Sequence, residues 1–241
     1  MADPATAHGS TAATLALWEA LGTTPPPAGG AVVLLARGAA PDLATACDLP
    51  LAVAAQAALA ELRERTGPTL ATVLDCAGCG DVLDVALALD ALAAPAATPA
   101  EARVPAAGGD VVVRTPTTTD VLAALESDDP GTHLRERCEQ WPPGADRADR
   151  AGLADRVADA AEALAGAAAA RARVTCPGCG RETVADVDVV RLLAERVTEQ
   201  ASALLADVAE LAGAFGWSED EILAMSPWRR RAYLGLTRAG A

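Results

Sequence analysis

The chain has 241 residues, a formal net charge of −14, 51% hydrophobic residues and only 2% aromatic ones. That length allows one or two domains with a real core, and the charge argues against nucleic acid as a partner, because an acidic chain repels phosphate at long range. No apolar run reaches membrane-spanning length, no basic start precedes an apolar stretch, and six cysteines are too few to staple a secreted domain, so a reducing cytoplasm is the expected location.

All 19 basic residues are Arg, Lys and Asn are missing, and Ile222 is the single Ile. The excess apolar content is mostly Ala, so the core is expected to be built of small contacts that bury little area per residue. A metal cross-link is useful in such a core.

In chain order, residues 1–10 read as a disordered tail. An N-terminal helical region over 11–68 follows, with helices expected over Thr11–Leu21, Ala31–Ala39 and Leu51–Arg65. The three prolines at 25–27 break the first, and Gly67-Pro68 stops the third. Periodicity then shortens: Leu70, Val73 and Leu74 precede Cys76, and Val82, Val85, Leu87 and Leu89 follow Cys79. This pattern predicts a first zinc-knuckle hairpin over 69–90. An inserted loop, strand and helices are expected over 91–170: a loop over 91–109, a strand over 110–115, and helices over 118–125, 132–140 and 148–165. A second knuckle hairpin over 171–188 repeats the first, with Val-Thr-Cys-Pro-Gly-Cys-Gly at 174–180 matching Leu-Asp-Cys-Ala-Gly-Cys-Gly at 74–80. The remainder, 189–241, is a long helix over 189–215 and a C-terminal helical segment. The apolar seam Val190, Leu193, Val197, Ala201, Leu204, Val208, Leu211 and Phe215 steps by three or four throughout, which suits packing on the chain's own helices or on a partner helix. Ser218 to Glu221 form a capping box, and Ser226-Pro227 opens the last helix.

Each knuckle reads Cys-x-x-Cys-Gly. Two intervening residues let both thiolates face one ion, and the Gly permits the tight turn around it. Together Cys76, Cys79, Cys176 and Cys179 supply the four ligands of a closed tetrahedral site, so one structural Zn2+ is expected. A catalytic zinc is disfavoured because four thiolates leave no position for water. A redox dithiol lacks its βαβ context, and an iron–sulfur cluster is the remaining reading. Cys47 and Cys138 lie outside the knuckles and read as inert thiols. His8 and His133 have no partner at ligand spacing, and no phosphate loop, nucleophile elbow or dinucleotide fingerprint is present.

The segment 215–234, Phe-Gly-Trp-Ser-Glu-Asp-Glu-Ile-Leu-Ala-Met-Ser-Pro-Trp-Arg-Arg-Arg-Ala-Tyr-Leu, concentrates aromatic and basic residues in an acidic, aromatic-poor chain. Such residues favour interface hot spots, so Trp217, Trp228, Arg229, Arg230 and Tyr233 are expected to contact a partner, with core filling the competing role for Trp217 and Trp228.

That segment, the two knuckles, Leu-Ala-Leu-Trp-Glu at 15–19 and Leu-Arg-Glu-Arg-x-Gly-Pro at 62–68 together resemble zinc-knuckle proteins of phage-like contractile injection systems, a family similar to the baseplate hub assembly chaperone of T-even-type phages. The ending also resembles short tail-assembly proteins, whereas residues 22–48 and 91–109 match poorly. The resemblance implies a non-enzymatic assembly chaperone or adaptor whose partners are tail tube, tape-measure, hub or baseplate proteins, with no nucleic acid, membrane or small-molecule substrate. A permanent minor subunit of the particle is the alternative. A nucleic-acid-binding zinc-ribbon protein and a thiol redox enzyme are further competitors. The expected fold class is α+β: mainly α-helical, with two small β-hairpin zinc knuckles joined at one four-cysteine site and a long C-terminal helix followed by two short helices.

Overall fold

The computed structural model describes residues 11–92 and 100–239. The expected tail with His8 and residues 93–99 of the expected loop lie outside them. The architecture is mixed α+β, with ten helices, two separate hairpins and one three-stranded antiparallel sheet among the described residues.

Four helices build the main layer: α1 (Thr11–Thr23), α2 (Gly29–Ala36), α4 (Leu51–Thr66) and α8 (Val189–Phe215). Proline at 25–27 ends α1 and leads through a 3-10 turn, Pro26–Ala28, into α2. Helix α2 is apolar nearly all round and is correspondingly buried, with Ala31, Val32, Val33 and Leu34 out of solvent. A short helix the sequence pattern does not announce, α3 (Leu43–Cys47), is started by Asp42, whose carboxylate accepts from the Thr45 N–H at 2.8 Å. Leu17, Val33, Leu59, Leu62, Leu193 and Val197 form the centre of the core. Each fully buried Leu contributes about 1.5–3 kcal/mol.

The seam of α8 divides in two. Leu193, Val197 and Ala201 are buried in the layer with α1 and α4, while Leu211 is buried further on, against α9 (Glu219–Leu223) and α10 (Pro227–Ala239). Between these stretches Leu204 and Val208 are only half-buried, and Phe215 is exposed.

The segment between the knuckles forms its own small lobe. Strands β3 (Glu101–Ala106), β4 (Gly109–Arg114) and β5 (Glu139–Gln140) make the antiparallel sheet in that order. Helix α7 (Arg147–Ala168) covers it, placing Val157 and Leu164 on Val104, Val111 and Val113. Two expectations are corrected here. Residues 101–106 form a strand rather than a loop; their inward residues are the small Ala102, Val104 and Ala106, and Pro105 fits because β3 is an edge strand. The helix expected to reach Gln140 ends at Cys138, since Glu139 and Gln140 pair instead with the free edge of β4.

Helices α5 (Thr118–Leu125) and α6 (Pro130–Cys138) are held together by Asp120. Its buried carboxylate accepts from Arg114 at 2.6 and 2.9 Å, from Arg137 at 2.9 Å, and from the Thr117 N–H and hydroxyl at 3.0 and 2.9 Å. Burial alone would raise its pKa, but Arg114, Thr117 and Arg137 hold it well below the usual carboxylate range. The lobe docks on the helical layer where the Leu51 N–H donates to the Pro116 carbonyl at 3.0 Å and Thr119 Oγ1 donates to Asp48 at 2.6 Å.

Candidate metal centre

Hairpins β1 (Thr69–Asp75) with β2 (Val82–Ala88) and β6 (Arg171–Thr175) with β7 (Glu182–Asp186) each end in a Cys-x-x-Cys-Gly tip. The two tips are built alike. The N–H of the first Cys donates to the carbonyl of the residue after the Gly, Cys76 to Asp81 at 2.8 Å and Cys176 to Arg181 at 2.9 Å. The Gly N–H returns to the first Cys carbonyl at 2.9 Å in both. Gly80 and Gly180 have φ of +76° and +73°, a left-handed backbone that closes the turn and that a side chain would strain. Burial repeats position for position between 73–89 and 173–189, so the two knuckles sit in like environments.

The hairpin feet explain why the tips meet. Leu87, Leu89, Ala172 and Val187 all enter the main core, which anchors both hairpins to the same layer. Leu83 then packs in one buried cluster with Cys76 and Cys176. The four sulfurs lie within 4.8 Å of one another. Cys76 and Cys179, from opposite knuckles, are 3.7 Å apart, as are Cys79 and Cys176. These separations are too long for disulfides, whose sulfurs sit ~2.05 Å apart. A tetrahedron of thiolates with bonds of ~2.3 Å has edges of ~3.8 Å. The four cysteines therefore fit one metal ion, and its ligands would come from all four.

The site is half-open to solvent: Cys76 and Cys176 are buried, while Cys79 and Cys179 are exposed. The backbone N–H groups of Cys79 and Gly78 point at Cys76 and bring its thiol down to about 6. The Asp81 N–H favours the Cys79 thiolate, but the Asp81 carboxylate, burial and the neighbouring sulfurs outweigh it and push that thiol up. A cation at the centre would remove this conflict, because every sulfur then gains a positive neighbour.

Sequence reasoning misses three residues of this centre. Arg181 lies against Gly78 and Asp81 against Gly178, each so close that a Cβ on the glycine would come within 2.8 Å of it. Their shared place in the repeat is the signal that points to them. Thr183 is buried with its Oγ1 3.8 Å from Cys76 Sγ, as a donor to that sulfur. The remaining thiols stay apart from the centre: Cys138 is buried in α6, Cys47 is half-buried in α3, and burial pushes both upward.

The residues singled out at the C-terminus separate into two groups. Trp217 and Tyr233 are half-buried, with rings 4.8 Å apart, and Phe215 stacks on Trp217 at 4.5 Å. Arg230, expected on a partner surface, instead points inward: it is 6% exposed and pairs with Asp207 at 3.2 Å. An arginine one helical step from the outer face finds an acid on α8 and becomes part of the packing. Trp228, 78% exposed, and Arg229, which lies over the Tyr233 ring at 5.7 Å, remain at the surface. No helix among the described residues is long and apolar enough to cross a membrane. No family model, curated protein or solved structure matches the chain.

Proposed function

We propose that the chain is a non-enzymatic assembly chaperone or adaptor of a phage-like contractile injection particle, held in shape by one structural zinc at Cys76, Cys79, Cys176 and Cys179. The observation that carries the metal reading is the gathering of four sulfurs within 4.8 Å, two of the separations being 3.7 Å, near the edge of a thiolate tetrahedron, and an all-cysteine set of four is a usual ligand set of structural zinc. A full set of four protein ligands leaves no open position for substrate or water, which supports a structural role over a catalytic one. The exposed Trp228 and Arg229 support a protein-binding role, since both residue types are enriched at interface hot spots. The tail tube, tape-measure, hub and baseplate proteins of the particle are the proposed partners, and the cytoplasm is the proposed location.

The test is a tagged pull-down from the native host, analysed by mass spectrometry in soluble lysate and in sedimented particles. Tail or baseplate proteins recovered only from the soluble fraction identify an assembly factor that departs. Stoichiometric presence in finished particles identifies a permanent subunit. Absence of such proteins from both fractions sinks the assembly reading, while metal analysis of the purified chain decides the zinc separately.

A further inference from the structure

Helix α10 has two working faces. At 3.6 residues per turn, Arg230, Tyr233, Leu234 and Thr237 fall on one side. They are held against α8 and α9: Arg230 by Asp207, Leu234 by Leu211 of α8 and Ile222 of α9, and Thr237 by a hydrogen bond to Glu210. The opposite side carries Trp228, Ala232, Gly235 and Leu236, all exposed, with Trp228 and Leu236 at 78% and 62%. Arg231 and Arg238 border this apolar stripe on one flank and Arg229 on the other. The three border arginines are only lightly engaged. Arg229 leans on Tyr233, Arg238 meets Glu210 at 3.2 Å, and Arg231 has no ion-pair partner among the described residues.

The charge distribution says what would lie on this stripe. Helix α10 carries four arginines and no acid, whereas the whole chain is −14, which leaves −18 for the rest. Resting on the reading that this chain acts by binding protein, we propose that the outer face of α10 docks an acidic amphipathic helix of another protein. That helix would lay an apolar ridge on Trp228, Ala232 and Leu236, with Asp or Glu on both flanks to meet Arg229, Arg231 and Arg238. Paired flanking charges set the register, and the Trp and Arg anchors carry the affinity.

The geometry favours this occupant over others. A second copy binding through the same face would lay arginine on arginine. A planar anionic membrane or a long nucleic acid extends beyond α10 and would also face the rest of the chain, which carries −18. A single helix lying along the stripe can confine its acids to the border arginines.

The experiment titrates the full, metal-loaded chain at physiological salt with a labelled synthetic helix bearing leucines on one face and glutamates on both flanks. Anisotropy gives affinity, and the indole N–H resonance of Trp228, assigned with Trp228→Phe, reports where it binds. The expected result is a saturable complex that shifts the Trp228 resonance and weakens at least roughly tenfold in Arg229→Glu/Arg231→Glu, two positions outside the buried packing. Circular dichroism and metal content of that variant verify its fold. The inference is overturned by lack of binding, by equal binding of a scrambled peptide or of the folded variant, or by tighter binding to phosphatidylserine vesicles or single-stranded RNA. Self-association abolished by the same double variant also overturns it. Peptide binding without particle proteins in the pull-down keeps this inference and sinks the assembly reading; the opposite pair of results does the reverse.

Discussion

Removing the metal, or one of its ligands, should cost the protein a large part of its stability. The centre joins Cys79 to Cys176, 97 positions apart, and so closes a loop that contains the whole inserted lobe. Treated as a cross-link on the unfolded chain, closure of a loop of ~97 residues contributes about 4.7 kcal/mol near room temperature. The ordering of the two tips adds to this, because the four-thiolate site does not exist in the unfolded chain and metal binding is therefore coupled to folding. For a chain of this size each kcal/mol moves the melting point by about 2–4 °C, so Cys176→Ser or chelation should lower it by roughly 10–20 °C. The assay is differential scanning calorimetry of the protein as purified, after chelation, and as Cys176→Ser and Cys138→Ser variants, with metal content measured in each. Chelation and Cys176→Ser should give similar losses, and Cys138→Ser should retain its metal. A melting point unchanged by chelation, with one metal per chain verified beforehand, would refute the cross-link argument.

Other outcomes follow from buried charge and packing. Asp120→Asn removes the charge that Arg114 and Arg137 face; breaking a buried pair costs about 3–5 kcal/mol, and the partial exposure of both arginines reduces this to about 2–3 kcal/mol, read by urea denaturation with metal content unchanged. Because the folded-state pKa of Asp120 is depressed, its contribution is fully present above the ordinary carboxylate range and is lost as pH falls below that range, so Asp120→Asn and the parent should converge in stability under strong acid. Arg230→Ala leaves Asp207 without its partner and should destabilise by about 2–3 kcal/mol, whereas Arg229→Ala should stay within about 0.5 kcal/mol; equal effects would contradict the inward placement of Arg230. Ile222→Ala empties a fully buried site between α8 and α10 and should cost about 2–5 kcal/mol, with hydrogen exchange quickening in α10 before the main layer.

Local chemistry determined much of this protein. The Cys-x-x-Cys-Gly repeats already specify two left-handed tips on two hairpins, and the four thiols do gather. The caps at Ser218 and Ser226-Pro227 and the apolar period of α8 likewise place their helices within a residue or two, because a cap is satisfied by neighbours three positions away. What the chain could not announce depends on partners distant in sequence. Residues 101–106 and 139–140 become strands only because β4 offers both of its edges. The role of Arg230 depends on Asp207 across a helix pair, and that of Asp120 on Arg137 from the next helix. Which half of the α8 seam is covered depends on where α1, α4 and α10 come to lie. Backbone turns and caps are short-range and are written in adjacent residues; burial and ion pairing are long-range, and only the assembled layers decide them.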